Sequence, residues 1–234
     1  MKSHAKRLAL PRTWAVARKS GTFIVRPNPG GHPRAYSLSI ATFLREYAHL
    51  ASTLKEARQL LNAGKVSVSG RVRKDYQYPV GLFDVVSIGE THLRLVLDVH
   101  GRLITVTADH PERTIMRVTA KSMVEDKVQL NCAGGRNLLI AKDNASVAKN
   151  YKVGDALLVT LPSQDVIDHF PFEKGVVVFL TGGSHPGQVG TVEQIKGRNV
   201  VFKLPSGEIF ATMRRFAIPV GKTEPAITVT AKKN

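Results

Sequence analysis

Cysteine is almost missing from this sequence: Cys132 stands alone among 234 residues. A single thiol excludes an internal disulfide and any zinc site built from several cysteines. A reducing, cytoplasmic setting is the simplest expectation. Acidic residues are also scarce, with 18 Asp and Glu against 34 Lys and Arg, a formal net charge of +16 and a pI near 10.2. Long apolar runs are absent, so no segment approaches the ~20 residues that span a bilayer. The basic N-terminus is followed by no apolar block or small-residue cleavage site, and no secretory signal is expected. No basic amphipathic helix carries Trp or Phe on its apolar face, which disfavours a membrane surface as partner. What is present is an ordinary 43% of hydrophobic residues, enough for a real core. The length suits one domain or two to three small modules. A field of this sign concentrates polyanions, and nucleic acid is the partner expected.

The stretch from Thr53 to Ile88 organises the chain. Thr53-Leu54-Lys55-Glu56 is a capping box, in which the Thr53 hydroxyl takes the Glu56 amide and the Glu56 carboxylate returns to the Thr53 N–H. Leu54, Ala57, Leu60 and Leu61 recur at helical spacing, and Gly64 supplies the left-handed residue that stops a helix. Val66-Ser67-Val68 then alternates as a strand, Ser69-Gly70 turns, and Arg71-Val72-Arg73 returns. With the valines pointing one way, Lys65, Arg71, Arg73 and Lys74 are expected to gather beside Lys55 and Arg58 of the helix. Such a cluster suits a phosphate backbone. A solvated basic hairpin on a small α/β domain is the plainer reading. The run E-A-R-x-L-L-x-x-G-x-V-x-V-x-G, Glu56 to Gly70, resembles the alpha-L RNA-binding motif shared by ribosomal proteins, pseudouridine synthases and some tRNA synthetases.

The first 45 residues hold nine cations and no acid: Lys2, Lys6, Arg7, Arg12, Arg18, Lys19, Arg26, Arg34 and Arg45. Four prolines and Gly30-Gly31 oppose long regular structure here. A disordered basic tail is one reading. The other is an extension that orders on RNA, with His4, Lys6, Arg7, Arg12, Arg18 and Lys19 on phosphates and Trp14 available for stacking. The segment His4 to Arg18 carries every fixed position of H-x-K-R-φ-x-x-P-x-x-W-x-φ-x-[KR]. That signature resembles the one of the archaeal and eukaryotic small-subunit ribosomal protein family called "S-four-e".

Ser37 to Leu50 reads as a helix, with Ile40, Phe43, Leu44 and Tyr47 on one stripe facing the Leu54/Leu60/Leu61 face of the next helix. From His92 to Phe170 the pattern is β. A hairpin is expected over Leu93–Leu97 and Arg102–Val106, with further strands at Thr114–Thr119, Lys127–Asn131, Asn137–Ala141 and Asp155–Thr160. Their spacing implies a barrel or sandwich; Lys142, Lys149 and Lys152 read as ordinary surface lysines. Beyond Gly175, Val176–Leu180 is a buried-type strand followed by a loop with Gly182, Gly183, Gly187 and Gly190. Strands at Val200–Leu204 and Ile209–Thr212 flank a turn at Pro205–Glu208. This region resembles a KOW motif on an SH3-like barrel, which implies RNA contacts by His185, Lys196 and Arg198 and by Gly182, Gly183 and Gly187, although loop shaping alone is the other reading of the glycines. Gln188 occupies the place where that family often has a basic residue. The lysines of the tail from Pro219 to Asn234 are expected to be solvated.

No catalytic constellation is visible. Gln188 and Val189 stand where a nucleotide P-loop needs Lys and Ser/Thr. His110-Pro111-Glu112 matches half of a zinc deaminase signature whose paired cysteines are lacking. Gly101-Arg102-Leu103-Ile104 puts Ile where a pseudouridine synthase has its Asp. The fold expected is mainly β with a small α/β module. Its parts are a basic extended segment (1–35), an alpha-L domain (36–90), a central barrel-like β domain (91–170), an SH3-like KOW barrel (171–220) and a tail (221–234). The resemblance implies a non-enzymatic component of the small ribosomal subunit, in its archaeal form. It would bind small-subunit ribosomal RNA and abut neighbouring ribosomal proteins, with no cofactor, metal, membrane or small-molecule substrate. A free-standing RNA-binding regulator of elongation-factor type remains a second reading, and an RNA-modifying enzyme, disfavoured by the missing Asp, a third.

Overall fold

The computed structural model describes residues 3–125, 127–141 and 150–229. Lys2, Lys142, Lys149 and the residues from Thr230 onward lie outside the described residues. The chain is mainly β, as expected. Strand β1 (His4–Lys6) pairs antiparallel with β2 (Phe23–Val25), and β3 (Ser37–Ser39) leads into a short helix α1 (Ile40–Thr42) that continues as a π-type turn, Phe43–Tyr47. Helix α2 (Leu54–Asn62) follows, then β4 (Val66–Val68), β5 (Arg71–Val72), β6 (Pro79–Gly81) and β7 (Val85–Ile88). Next come β8 (Thr91–Leu97), β9 (Leu103–Thr107), the long β10 (Arg113–Val124), β11 (Lys127–Cys132) and β12 (Arg136–Ala141). The last strands are β13 (Ala156–Thr160), β14 (Val166–Phe170), β15 (Val177–Leu180), β16 (Val189–Lys196), β17 (Asn199–Lys203), β18 (Ile209–Met213) and β19 (Ala217–Gly221).

Three five-stranded sheets carry the fold, ordered β5-β4-β7-β8-β9, β12-β11-β10-β13-β14 and β18-β17-β16-β15-β19. No closed ring is found among the described residues for the barrels expected of the central and last regions. The expected hairpin at Leu93–Val106 is β8–β9, turning at Gly101 with φ +71°. Its sheet is the surprise: β8 pairs with β7, so the hairpin extends the α/β module across the boundary expected at residue 90. Periodicity identifies a strand but not its partner.

Burial explains the continuous apolar runs. Along β15, Val177 and Phe179 enter the main core while Val178 and Leu180 enter a second cluster with Val192, Val200 and Phe202. Along β13, Ala156 and Leu158 face the main core, and Leu157 and Val159 face a third cluster with Met116, Leu130 and Cys132. Successive side chains point to opposite faces, so a strand covered on both sides must be apolar throughout. The main core unites the parts: Leu10, Trp14, Leu38, Phe43, Leu61, Leu95, Ile115 and Phe179 belong to one cluster.

Candidate nucleic-acid interface

Local chemistry builds the α2–β5 unit. The Thr53 side chain accepts the Glu56 amide at 3.2 Å, as a capping box requires. The Glu56 carboxylate reaches one residue further back than expected, accepting the Ser52 N–H at 2.8 Å and the Thr53 hydroxyl at 2.9 Å. These bonds hold its pKa below the ordinary value. Gly64, at φ +72°, turns the chain out of the helix, and its N–H donates to the Leu61 carbonyl. The stripe of Ile40, Phe43 and Leu44 is buried with Ala57 and Leu61, although Ser37–Ser39 form a strand on β6 rather than helix.

The hairpin's cations are less uniform than the expectation. Val68 pairs with Arg71 and Ser67 with Val72, so Val72 points away from Val66 and Val68 and is 57% exposed. Paired residues share a face; Arg71 therefore lies on the side of the buried valine. Arg71 and Arg73 line a cleft of about 460 Å³, which Lys65 and Lys74 do not line. Lys55, Arg58, Lys65, Arg71 and Lys74 are all exposed, and among the described residues none forms an ion pair with a carboxylate. The Arg58 guanidinium sits 4.1 Å over the Tyr76 ring, and that of Arg73 4.4 Å over Tyr78. Both tyrosines come from the segment after β5, which fixes the arginines while leaving their charge uncompensated.

The leader is corrected more strongly. Trp14 is 3% exposed, bridges Leu103 and donates its indole N–H to the Arg34 carbonyl at 3.2 Å, so it is core and cannot stack on a base. Arg7 is 5% exposed, ion-paired with Glu46 and bonded to the Ala17 carbonyl at 2.9 Å. It is a structural cation, not a phosphate ligand. His4 is exposed and packs edge-on against Phe23, which pairs with the exposed Lys6. Lys19 is exposed as well. Arg18 donates to the Pro11 carbonyl at 3.1 Å yet lines, with Arg12, an open hollow of about 580 Å³. His100 and Arg102 from the β8–β9 turn complete that hollow, and no carboxylate lines it. Neither was singled out as an RNA contact, because only tertiary packing lays the turn against the leader.

At the last sheet the glycines serve packing. A Cβ on Gly187 would stand 2.2 Å from the Asp98 carbonyl oxygen, so only glycine lets this loop press on the β8–β9 turn. Gly187 is buried; Gly182 lies against Phe216 and Gly183 against Thr212. The His185 ring rests 3.8 Å from that of Phe210. Lys196 and Arg198 are exposed at the β16–β17 turn, apart from the α2–β5 cations in sequence and sheet.

Below the hairpin lies a buried polar junction. Asp84 accepts the Ser69 hydroxyl at 2.9 Å and the Gly81 N–H at 2.9 Å, and pairs with His32 at 3.1 Å and Arg136 at 3.4 Å. Burial pushes the Asp84 carboxyl up, but His32 and then Arg136 outweigh it and bring the pKa down to about 2. Burial pulls the His32 imidazole down, and Asp84 overcomes that to leave it above its ordinary 6.5. The junction ties the leader, the α/β module and β12 together. Arg94, wholly buried in β8, donates to the carbonyls of His110 at 3.0 Å and Arg113 at 2.6 Å; burial draws its pKa down to about 10.

No group of three or more His, Cys, Asp or Glu among the described residues could hold a metal ion, and no helix is long and apolar enough to cross a membrane. Comparison with known proteins fits the geometry. Family models match at residues 1–34 (the RS4NT domain), 40–86 (the S4 domain) and 89–166 (ribosomal family S4e). The small ribosomal subunit protein eS4 of Methanocaldococcus jannaschii is 36% identical over 236 residues, covering 97% of each chain. That of Ignicoccus hospitalis is 37% identical, covering 97% of this chain and 94% of its own. The crystal structure of the 30S ribosomal protein S4e from Thermoplasma acidophilum superposes with a TM-score of 0.68 at 26% identity, over 80% of this chain and 96% of that one. With both its sequence and its fold matched over most of their length, the chain belongs to the ribosomal S4e family.

Proposed function

We propose that this chain is a structural, non-enzymatic component of the small ribosomal subunit that binds ribosomal RNA and abuts neighbouring subunit proteins. One observation carries the reading. Exposed cations on α2 and the β4–β5 hairpin, namely Lys55, Arg58, Lys65, Arg71 and Lys74, have no carboxylate partner among the described residues. A protein with +16 formal charge that leaves such a cluster unpaired keeps it for an external polyanion. The names of its relatives supply the assembly. The Arg12–Arg18–His100–Arg102 hollow is a second phosphate contact, with His4, Lys6 and Lys19 beside it on the leader. Lys196 and Arg198, and the loop at Gly182, Gly183 and His185, are a third, on what we read as a KOW-type module despite Gln188. The 36–90 region serves as the alpha-L module, with β8–β9 added to its sheet.

The test is Lys65, Arg71, Arg73 and Lys74 all changed to Ala in the full chain, with binding to small-subunit ribosomal RNA measured against salt. Each duplex phosphate contact contributes about 0.9 to the log–log slope, so the slope should fall by up to about 3.6. An unchanged slope would remove this hairpin from the RNA face. Co-sedimentation with small subunits in physiological salt separates a resident subunit protein from a free regulator.

A further inference from the structure

The cleft beside the hairpin is built for more than phosphate. Its walls come from Asn28 to His32 of the leader, from Arg71 and Arg73 of the hairpin with Asp75, Tyr78 and Asp84 after it, from Gly134 to Asn137 before and within β12, and from Gln164 of the β13–β14 turn. That turn is wedged in place, since a Cβ on Gly70 would stand 3.2 Å from Pro162. The two carboxylates in the walls are already satisfied. Asp84 holds Ser69, Gly81, His32 and Arg136, while Asp75 accepts the Asn28 amide at 2.9 Å and the Gln77 N–H at 2.9 Å. Arg71 and Arg73 are left without an acid.

Two buried side-chain atoms in these walls have no hydrogen-bond partner: Arg73 Nε, a donor, and Gln164 Oε1, an acceptor. Six such atoms occur among the described residues, and the Gln164 oxygen is the one acceptor among them. A phosphate offers acceptors only and leaves the Gln164 oxygen unsatisfied. The edge of a nucleobase offers both kinds of group, an acceptor for Arg73 Nε–H and a donor for Gln164 Oε1, while the Tyr78 ring holds the Arg73 guanidinium in place. The volume of about 460 Å³ falls in the range of about 300–1,000 Å³ that encloses a small ligand.

The geometry points to a pocket for one unpaired nucleotide of the bound RNA, its base on Arg73 and Gln164 and its phosphate on Arg71. This rests on the RNA-binding reading above. Protein-free small-subunit ribosomal RNA bound to the full chain is probed two ways: bases with dimethyl sulfate and a carbodiimide, backbone with hydroxyl radicals. The wild type should protect at least one unpaired base. Gln164→Leu should return that base to the reactivity of free RNA while backbone protection stays. Gln164→Glu, which keeps the side chain's shape and an acceptor oxygen at the Oε1 position, should keep the base protected; loss of protection in both variants would mark a packing effect and overturn the base contact. Identical base reactivity in the wild type and both variants, with backbone protection present, overturns the pocket and leaves RNA binding standing. Absence of backbone protection in the wild type overturns RNA binding and the pocket with it.

Discussion

The leader and the α2–β5 hairpin advertise themselves identically in sequence, as cations interleaved with apolar residues, yet the fold uses them in opposite ways. Arg7 is 5% exposed and committed to Glu46 and a carbonyl, and Trp14 lies in the main core. Arg71 is exposed with no acid partner among the described residues. The difference is covalent distance from a scaffold. The hairpin is its own scaffold, because α2 and Gly64 set its direction and its cations must face outward. The leader has no core of its own and acquires one by laying its apolar residues on β9 and α1. Burying Trp14 takes Arg7 inward with it, and a buried guanidinium is tolerated only with a carboxylate and carbonyls around it.

Trp14→Ala should break that contrast most severely. Loss of a fully packed indole should cost about 3–5 kcal/mol in urea unfolding, whereas a tail that orders only on RNA would lose almost nothing. Arg7→Met comes next. Removing one partner of a buried pair costs about 3–5 kcal/mol, but Glu46 keeps 21% side-chain exposure, so about 2–3 kcal/mol is expected. Its salt slope for RNA should match the wild type; a shallower slope would return Arg7 to the binding face.

The junction beneath the hairpin predicts a pH profile. Asp84 has a folded pKa of about 2 against an ordinary 3.8, so its contribution is complete above that ordinary value and fades as pH falls toward 2. The loss is on the order of 2 kcal/mol. His32 runs the other way. Its folded pKa exceeds 6.5, so its contribution is full below 6.5 and is lost as pH rises through the folded value. Unfolding of His32→Gln across pH should show the alkaline decline flattened and the acid decline reduced, since Asp84 loses its main partner. Wild-type stability that stays level from pH 6 to pH 9 would contradict the pairing.

Legibility in the sequence followed the range of the interactions. The capping box, the Gly64 stop, the Gly101 turn and the strand-forming runs at β10, β11, β13, β15 and β17 all depend on neighbours in the chain, and the structure keeps them. Glu56 binds the Ser52 N–H as well as Thr53, one residue more than the local device requires. Of the helix expected from Ser37, residues 40–47 are helical, but Ser37–Ser39 is strand for a non-local reason: β6 arrives to pair with it, and strand pairing overrides a weak propensity. The β8–β9 hairpin was visible, but not its sheet. His100, Arg102, Arg136 and Gln164 carried no signal at all, since nothing near them in sequence is basic enough or patterned enough to mark a site.

By itself the sequence determined the excess of positive charge, the short-range elements and the family signature at His4 to Arg18. Tertiary structure decided which cations stay free and which are spent inside, how leader, hairpin and β12 meet at Asp84, and where a cleft opens. Charge and periodicity are properties of residues and near neighbours. Burial is a property of which distant segments arrive to cover them.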